Sequence, residues 1–213
     1  MGELADFLLL VVVVLALQAL ATSRIQVAIR AVAFQGVALA LLPFALEHHL
    51  GTVTVLTFVV TLALKAVVIP IMLSRAMTEA RVVHEVEPSV SLHVSVVVGA
   101  ALIGVAFWLG GALELPFPAP TRLVVPIALA TVFLGFLLIV SRRKAVTQVV
   151  GYLVLENGVF IFGQALARRI PFVVELGILL DVLVGVFVMG IAINHISREF
   201  DHIDVDALST LRD

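Results

Sequence analysis

Three ionisable residues, Lys65, Glu156 and Asp181, lie near the middle of three separate apolar runs, each long enough to cross a bilayer. A charged side chain at that depth costs about 3 kcal/mol on insertion scales and more in simulations, so such residues usually face a bundle interior or a water-filled path. Their placement predicts proton or ion handling inside a membrane protein.

The three residues have similar predicted depths. Glu156 and Asp181 are each about ten residues into their runs and Lys65 about thirteen, so at about 1.5 Å per residue all three lie near the midplane. Burial disfavours the charged form of each group, whereas a nearby opposite charge favours it, so their spacing decides which groups are charged. One interpretation is a lateral polar row that relays protons. The other is a buried ion pair that only fixes the register of the helices.

Asn157 and His195 are secondary candidates for the same path. Asn157 follows Glu156 directly, and His195 lies almost four turns beyond Asp181, from which it could exchange protons only through water. Asn157, Gln35 and Gln164 are also expected to form hydrogen bonds between helices. Glycines in the sixth apolar run predict close helix packing, and a π-bulge near Gly158 is a further hypothesis.

The composition excludes several classes of function. Of the 213 residues, 62% are hydrophobic and only 13% are charged, and the mean hydropathy is +1.22, which indicates an integral membrane protein. The absence of cysteine excludes disulfides, thiolate nucleophiles and Cys-ligated iron–sulfur clusters. Phosphate-binding loops, hydrolase motifs and basic patches are missing as well. We therefore expect no catalytic centre, cofactor or metal in this chain, and no binding of nucleic acid.

The apolar runs define the architecture. A membrane-spanning helix needs about 20 apolar residues, and these runs are too long for the strands of a barrel. The sequence predicts an all-α integral membrane protein with about seven transmembrane helices. The candidate spans are 4–22, 27–46, 52–74, 90–113, 121–140, 146–168 and 171–195.

The basic residues predict the orientation. With seven spans, nine arginines and lysines fall on one face of the membrane and three on the other, and the richer face is expected to be cytoplasmic. The N-terminus is then outside and the C-terminus cytoplasmic. The nine residues are Arg24, Arg30, Arg75, Arg81, Arg142, Arg143, Lys144, Arg198 and Arg212. The three are Arg122, Arg168 and Arg169.

A weak internal sequence similarity suggests two related units. The Gln35-Gly36 pair precedes the helix of Lys65, as Glu156-Asn157-Gly158 precedes the helix of Asp181. Both units would begin on the outer face, which fits a parallel repeat. The predicted organisation is an N-terminal three-helix unit (1–88), a linking helix with a proline-rich loop (89–120), and a second three-helix unit with a short cytoplasmic tail (121–213).

Three segments carry a resemblance to known families. They are Ser141-Arg-Arg-Lys144, Gly151-Tyr-Leu-Val-Leu-Glu-Asn-Gly158 and Glu175-Leu-Gly-Ile-Leu-Leu-Asp181. On these segments the whole chain resembles the hydrogenase-4 component E family. Residues from about 121 to the end are similar to the three-helix K subunit of respiratory complex I. In the K subunit an acid lies two residues after the glycine, where this chain has Leu153. Glu156 lies three residues later on the same helix face, and Asp181 matches the second family acid.

The resemblance implies a role within a larger assembly. It implies a non-redox subunit in the membrane arm of an energy-converting [NiFe] hydrogenase, in a prokaryotic cytoplasmic membrane. The chain would contribute to the central hydrated axis that couples electron transfer to proton or sodium translocation. The implied partners are antiporter-like and quinone-site-like subunits and a peripheral hydrogenase arm, and the nickel–iron centre and iron–sulfur clusters would lie in partner subunits. The alternatives are a small subunit of a multi-subunit cation/proton antiporter and a purely structural membrane anchor.

Overall fold

Apolar segments separated by short polar turns produce a chain of long helices. The computed structural model describes residues 2–46, 51–79, 90–113, 119–143 and 145–166. A π-helical segment, Leu62–Val68, joins the helix that ends at Thr61 to the helix that begins at Ile69 without a break. None of the elements in the described ranges is a β-strand, which confirms the all-α class. The α-helices are α1 (Gly2–Ala21), α2 (Ile25–Leu46), α3 (Thr52–Thr61), α4 (Ile69–Glu79), α5 (Leu92–Ala112), α6 (Val124–Ser141) and α7 (Ala145–Leu166).

The outer surface of the helices is apolar, as in an integral membrane protein. Among the described residues, five helical runs are long and apolar enough to cross a membrane: α1, α2, Thr54–Arg75, α5 and α6. Large apolar side chains such as Trp108 and Val140 are 71% and 77% exposed, which suits contact with lipid rather than water. The first six predicted spans each coincide with a described helix. The seventh, 171–195, lies outside the described residues, so the count of seven stays a prediction.

The helices pack around α2 and α6. Helix α2 contacts α1, the π segment and α7, while α6 contacts α1, α5 and α7. Glycines permit the closest of these contacts, since a Cβ at Gly158 would lie 2.7 Å from the Val132 nitrogen, and one at Gly151 would lie 2.8 Å from the Ile139 nitrogen. The two glycines are seven residues apart and therefore share the face of α7 toward α6. This confirms the close packing predicted for that helix.

A buried arginine anchors the turn between α6 and α7. Arg142 follows the last residue of α6 and is only 2% exposed. Its Nη2 donates a hydrogen bond to the Leu20 carbonyl in the last turn of α1, at 2.5 Å, where helix carbonyls lack a partner within the helix. Burial lowers the pKa of the Arg142 guanidinium from its usual value, although arginine stays protonated in proteins.

The position of Arg142 fixes the relation between two helices. The C-terminal ends of α1 and α6 lie together, so these helices run in the same direction, as a parallel repeat requires. The sequence predicts Arg142 to be a basic residue of a loop, whereas its side chain is buried beneath the end of α1. The division into units 1–88 and 121–213 stays a prediction, because the predicted last span, 171–195, and the tail lie outside the described residues.

Candidate functional site

Lys65 lies within the π-helical segment. The Ile69 N–H donates to the Leu64 carbonyl, five residues back instead of four. Pro70 accounts for this wider turn, because proline has no N–H to donate and its ring clashes with the carbonyl four residues back, that of Ala66. π-Helical turns occur frequently at functional sites. The hypothesis of a bulge near Gly158 is wrong, since α7 is α-helical through that residue and the π turn lies at Lys65 instead.

The Lys65 ammonium forms a buried ion pair with Glu156 of α7. Its Nζ donates to Glu156 Oε2 and also to Asn157 Oδ1, at 3.1 Å. Lys65, Glu156 and Asn157 are 3%, 1% and 2% exposed, so the charges are removed from both lipid and water. The Nζ atom also lies 5.2 Å from the ring centroid of Phe160, within the range of a cation–π interaction. The structure thus brings two of the three predicted charged residues into direct contact at one depth.

Two amides extend this pair into a chain of hydrogen bonds across the bundle. Asn157 Nδ2 donates to Gln35 Oε1 at 3.0 Å, and Gln35 Nε2 donates to the Val12 carbonyl of α1 at 2.8 Å. Gln35 is fully buried. The chain links α1, α2, α7 and the π segment, and it confirms the expectation that Gln35 and Asn157 bond between helices.

The direction of donation along this chain of hydrogen bonds is fixed. A backbone carbonyl can only accept hydrogen bonds, so Val12 requires the NH2 group of Gln35. The Gln35 carbonyl oxygen then faces Asn157 and requires its NH2 group, which leaves Asn157 Oδ1 facing Lys65. An oxygen is the atom that a lysine ammonium needs, because lysine is a donor only. The α1 backbone therefore orients both amides so that they stabilise the positive charge of Lys65.

Gly36 allows the π segment to lie against α2 at the level of Lys65. A Cβ at Gly36 would be 2.8 Å from the Lys65 carbonyl carbon and 2.9 Å from the Ala66 nitrogen. Both are backbone atoms, so no side-chain rotation could relieve the contact. Gly36 follows Gln35 directly, and the same turn of α2 thereby supplies both a close backbone contact and an amide of the hydrogen-bond chain.

We expect Gly36→Ala to lower the free energy of unfolding by about 1–3 kcal/mol, because the new methyl group forces α2 and the π segment apart. The matched control is Gly104→Ala in α5, where a Cβ would have nothing within 4 Å. Denaturant titration in mixed micelles, followed by circular dichroism, measures both variants. Equal stability of the two would contradict the close contact at Gly36.

Two of the sequence-predicted site residues, Asp181 and His195, lie outside the described residues. Phe160 is a component of the site that was not predicted from the sequence, although it lies one turn after Glu156 and therefore on the same face of α7. Within the described ranges, no group of three or more His, Cys, Asp or Glu side chains could hold a metal ion.

Comparison with known proteins gives one match over most of the chain and three over less than half. The chain is 35% identical over 99 residues to Hydrogenase-4 component E of Escherichia coli and of Shigella flexneri, and these residues make up 46% of each chain. No family model matches the chain, and no solved structure matches it. Over 187 residues, the chain is 34% identical to the uncharacterized protein Rv0085 of Mycobacterium tuberculosis, which covers 87% of this chain and 85% of that protein. The chain therefore belongs to the same family as Rv0085.

Proposed function

We propose that this chain is a non-redox membrane subunit of an energy-converting hydrogenase complex, in which Lys65 and Glu156 form part of a path for protons or sodium ions. The similarity to Hydrogenase-4 component E supports the type of complex. The observation that carries the proposal is the ion pair between Lys65 and Glu156, buried inside a bundle of membrane-spanning helices. Ionisable groups at such depth are expensive and commonly belong to ion or proton paths.

The pair can respond to a single proton. Protonation of Glu156 removes the negative charge that neutralises the Lys65 ammonium and leaves a net positive charge inside the membrane. That charge is costly at this depth, so it favours transfer of a proton to another acceptor. Asn157 Oδ1 holds the ammonium meanwhile, because it accepts a hydrogen bond whatever the state of Glu156. In this proposal Asp181 is the next acid on the path, and His195 is a secondary candidate at its cytoplasmic end.

The proposal assigns redox chemistry to other chains. The nickel–iron centre and the iron–sulfur clusters would lie in a peripheral arm and its neighbours, while antiporter-like and quinone-site-like subunits would flank this chain in the membrane. The complex would be related to respiratory complex I, with residues 121–213 as the counterpart of its K subunit. The location would be a prokaryotic cytoplasmic membrane, with the N-terminus outside and the C-terminus in the cytoplasm.

A structural anchor is the second candidate function, and the hydrogen-bond chain favours it. Lys65, Glu156, Asn157 and Gln35 bond to one another and to the α1 backbone. Such a network can fix the register of four helical segments without moving any ion. Under this alternative the buried charges contribute only to folding and assembly.

Mass spectrometry of the complex that copurifies with this chain tests the type of assembly. We expect a tagged chain, extracted from its native membranes in a mild detergent, to recover a [NiFe] large subunit, iron–sulfur proteins and antiporter-like subunits. An extract from cells without the tag provides the background. Recovery with antiporter subunits alone would contradict the hydrogenase assignment and indicate ion exchange instead.

A further inference from the structure

A groove with an apolar floor and two arginines lies between α2 on one side and the π segment and α4 on the other. Its volume is about 380 Å³. The apolar lining consists of Ile29, Ala33, Ala66, Val67, Pro70 and Ile71. Arg30 and Arg75 line the same groove and are exposed. This surface lies on the outside of the bundle and is separate from the buried ion pair, although Ala66 follows Lys65 directly in the chain.

Helix α2 runs antiparallel to the π segment and α4, so one end of the groove is apolar and the other end is charged. Gly36 packs on Lys65 and Ala66, while Phe44, further along α2, contacts Phe58 of α3 with ring centroids 5.0 Å apart. Moving back along α2 toward Arg30 therefore corresponds to moving forward from Ala66 toward Arg75. At about 1.5 Å per residue, the groove extends about 15 Å from the level of Lys65 to that of Arg75.

The chemistry of this surface fits one class of ligand. Guanidinium groups bind phosphate oxygens in bidentate fashion. Among the described residues, no acidic side chain lines the groove. Neither Arg30 nor Arg75 has a hydrogen bond or ion pair to the described part of the chain. A molecule with an anionic phosphodiester and an apolar tail would contact both ends of the groove. Basic pockets between transmembrane helices on the cytoplasmic side bind anionic lipid head groups in this way.

We propose that the groove between α2 and α4 is a binding site for an anionic phospholipid, with its phosphodiester between Arg30 and Arg75 and an acyl chain along Ala33, Ala66 and Pro70. The lipid belongs to the leaflet that the distribution of basic residues predicts to be cytoplasmic. Its acyl chain covers the outer side of the π segment that carries Lys65. The proposal is independent of the hydrogenase assignment, because it concerns only this chain and the bilayer.

Native mass spectrometry of the purified full chain, titrated with palmitoyl-oleoyl phosphatidylglycerol or with the phosphatidylcholine of the same acyl chains, tests the site. We expect retained phosphatidylglycerol adducts at concentrations that leave no phosphatidylcholine bound. The double variant Arg30→Gln/Arg75→Gln should bind phosphatidylglycerol about 30-fold more weakly, since each surface arginine contributes about fivefold. Both side chains are exposed, and neither substitution removes a hydrogen bond or ion pair within the described part of the chain.

Two further variants distinguish binding of the lipid at this site from nonspecific attraction between arginines and an anionic lipid. Arg24→Gln removes an exposed arginine of the same predicted face that does not line the groove, and it should bind phosphatidylglycerol like the unaltered chain. Ala33→Phe fills the floor of the groove while both arginines remain, and it should lose the adduct. Inorganic phosphate at the same concentration should not displace the lipid. Equal binding of the two lipids, or equal loss in Arg24→Gln and the double variant, would overturn the proposal.

Discussion

Replacing Glu156 by leucine is expected to lower the free energy of unfolding by about 3–5 kcal/mol, because the substitution leaves a buried ammonium without its counter-charge. Lys65→Met should cost a similar amount, since it leaves the carboxylate of Glu156 uncompensated at 1% exposure. The double variant Lys65→Met/Glu156→Leu removes both charges together. Apolar replacement of a whole buried pair is often neutral or stabilising, so the double variant should recover most of the loss.

Denaturation in mixed detergent micelles, followed by circular dichroism, gives the free energy of unfolding of the two single variants and the double variant. Their differences give the coupling energy between Lys65 and Glu156. Glu3→Leu is the matched control, because Glu3 is exposed at the start of α1, and its effect should stay within about 0.5 kcal/mol. Additive losses in the double variant would contradict a direct ion pair between Lys65 and Glu156.

The helices could be predicted because the bilayer imposes their length. The predicted spans 27–46 and 90–113 differ by only a few residues from α2 (Ile25–Leu46) and α5 (Leu92–Ala112). Depth follows from the same count, since a helix rises by a constant amount per residue. The similar depths predicted for Lys65 and Glu156 are therefore consistent with the contact between them.

The lateral arrangement could not be predicted from the sequence. Lys65 and Glu156 are 91 residues apart, and an apolar helix gives little indication of which face meets which neighbour. The side of such a helix that faces lipid and the side that faces protein carry similar residues, because both surroundings are apolar. Local signals did exist, since Pro70 explains the π turn at Lys65. The burial of Arg142 had no such signal, because a basic residue in a short turn ordinarily lies at the membrane surface.

The variant Lys65→Met/Glu156→Leu should also abolish ion translocation in the proposed hydrogenase complex while the complex still assembles. Removing both charges leaves no unpaired charge inside the bundle but takes away the groups that accept and release protons at this depth. In inverted membrane vesicles, hydrogen-driven ion uptake should fall to the level of vesicles that lack the chain. Reduction of a soluble dye by hydrogen should remain, because the proposal assigns that activity to the peripheral arm.

Glu156→Asp provides the matched comparison for this result. It keeps the carboxylate but shortens its reach to the Lys65 ammonium, so it should retain part of the uptake and change its dependence on pH. If the pair has only a structural role, the double variant should retain more ion uptake than Glu156→Asp. The reason is that the double variant preserves helix packing better than a shortened acid does. Normal uptake in an assembled complex that carries the double variant would favour the structural anchor. Loss of uptake with intact assembly would assign the ion pair to the translocation path, because the same substitution then separates folding from transport.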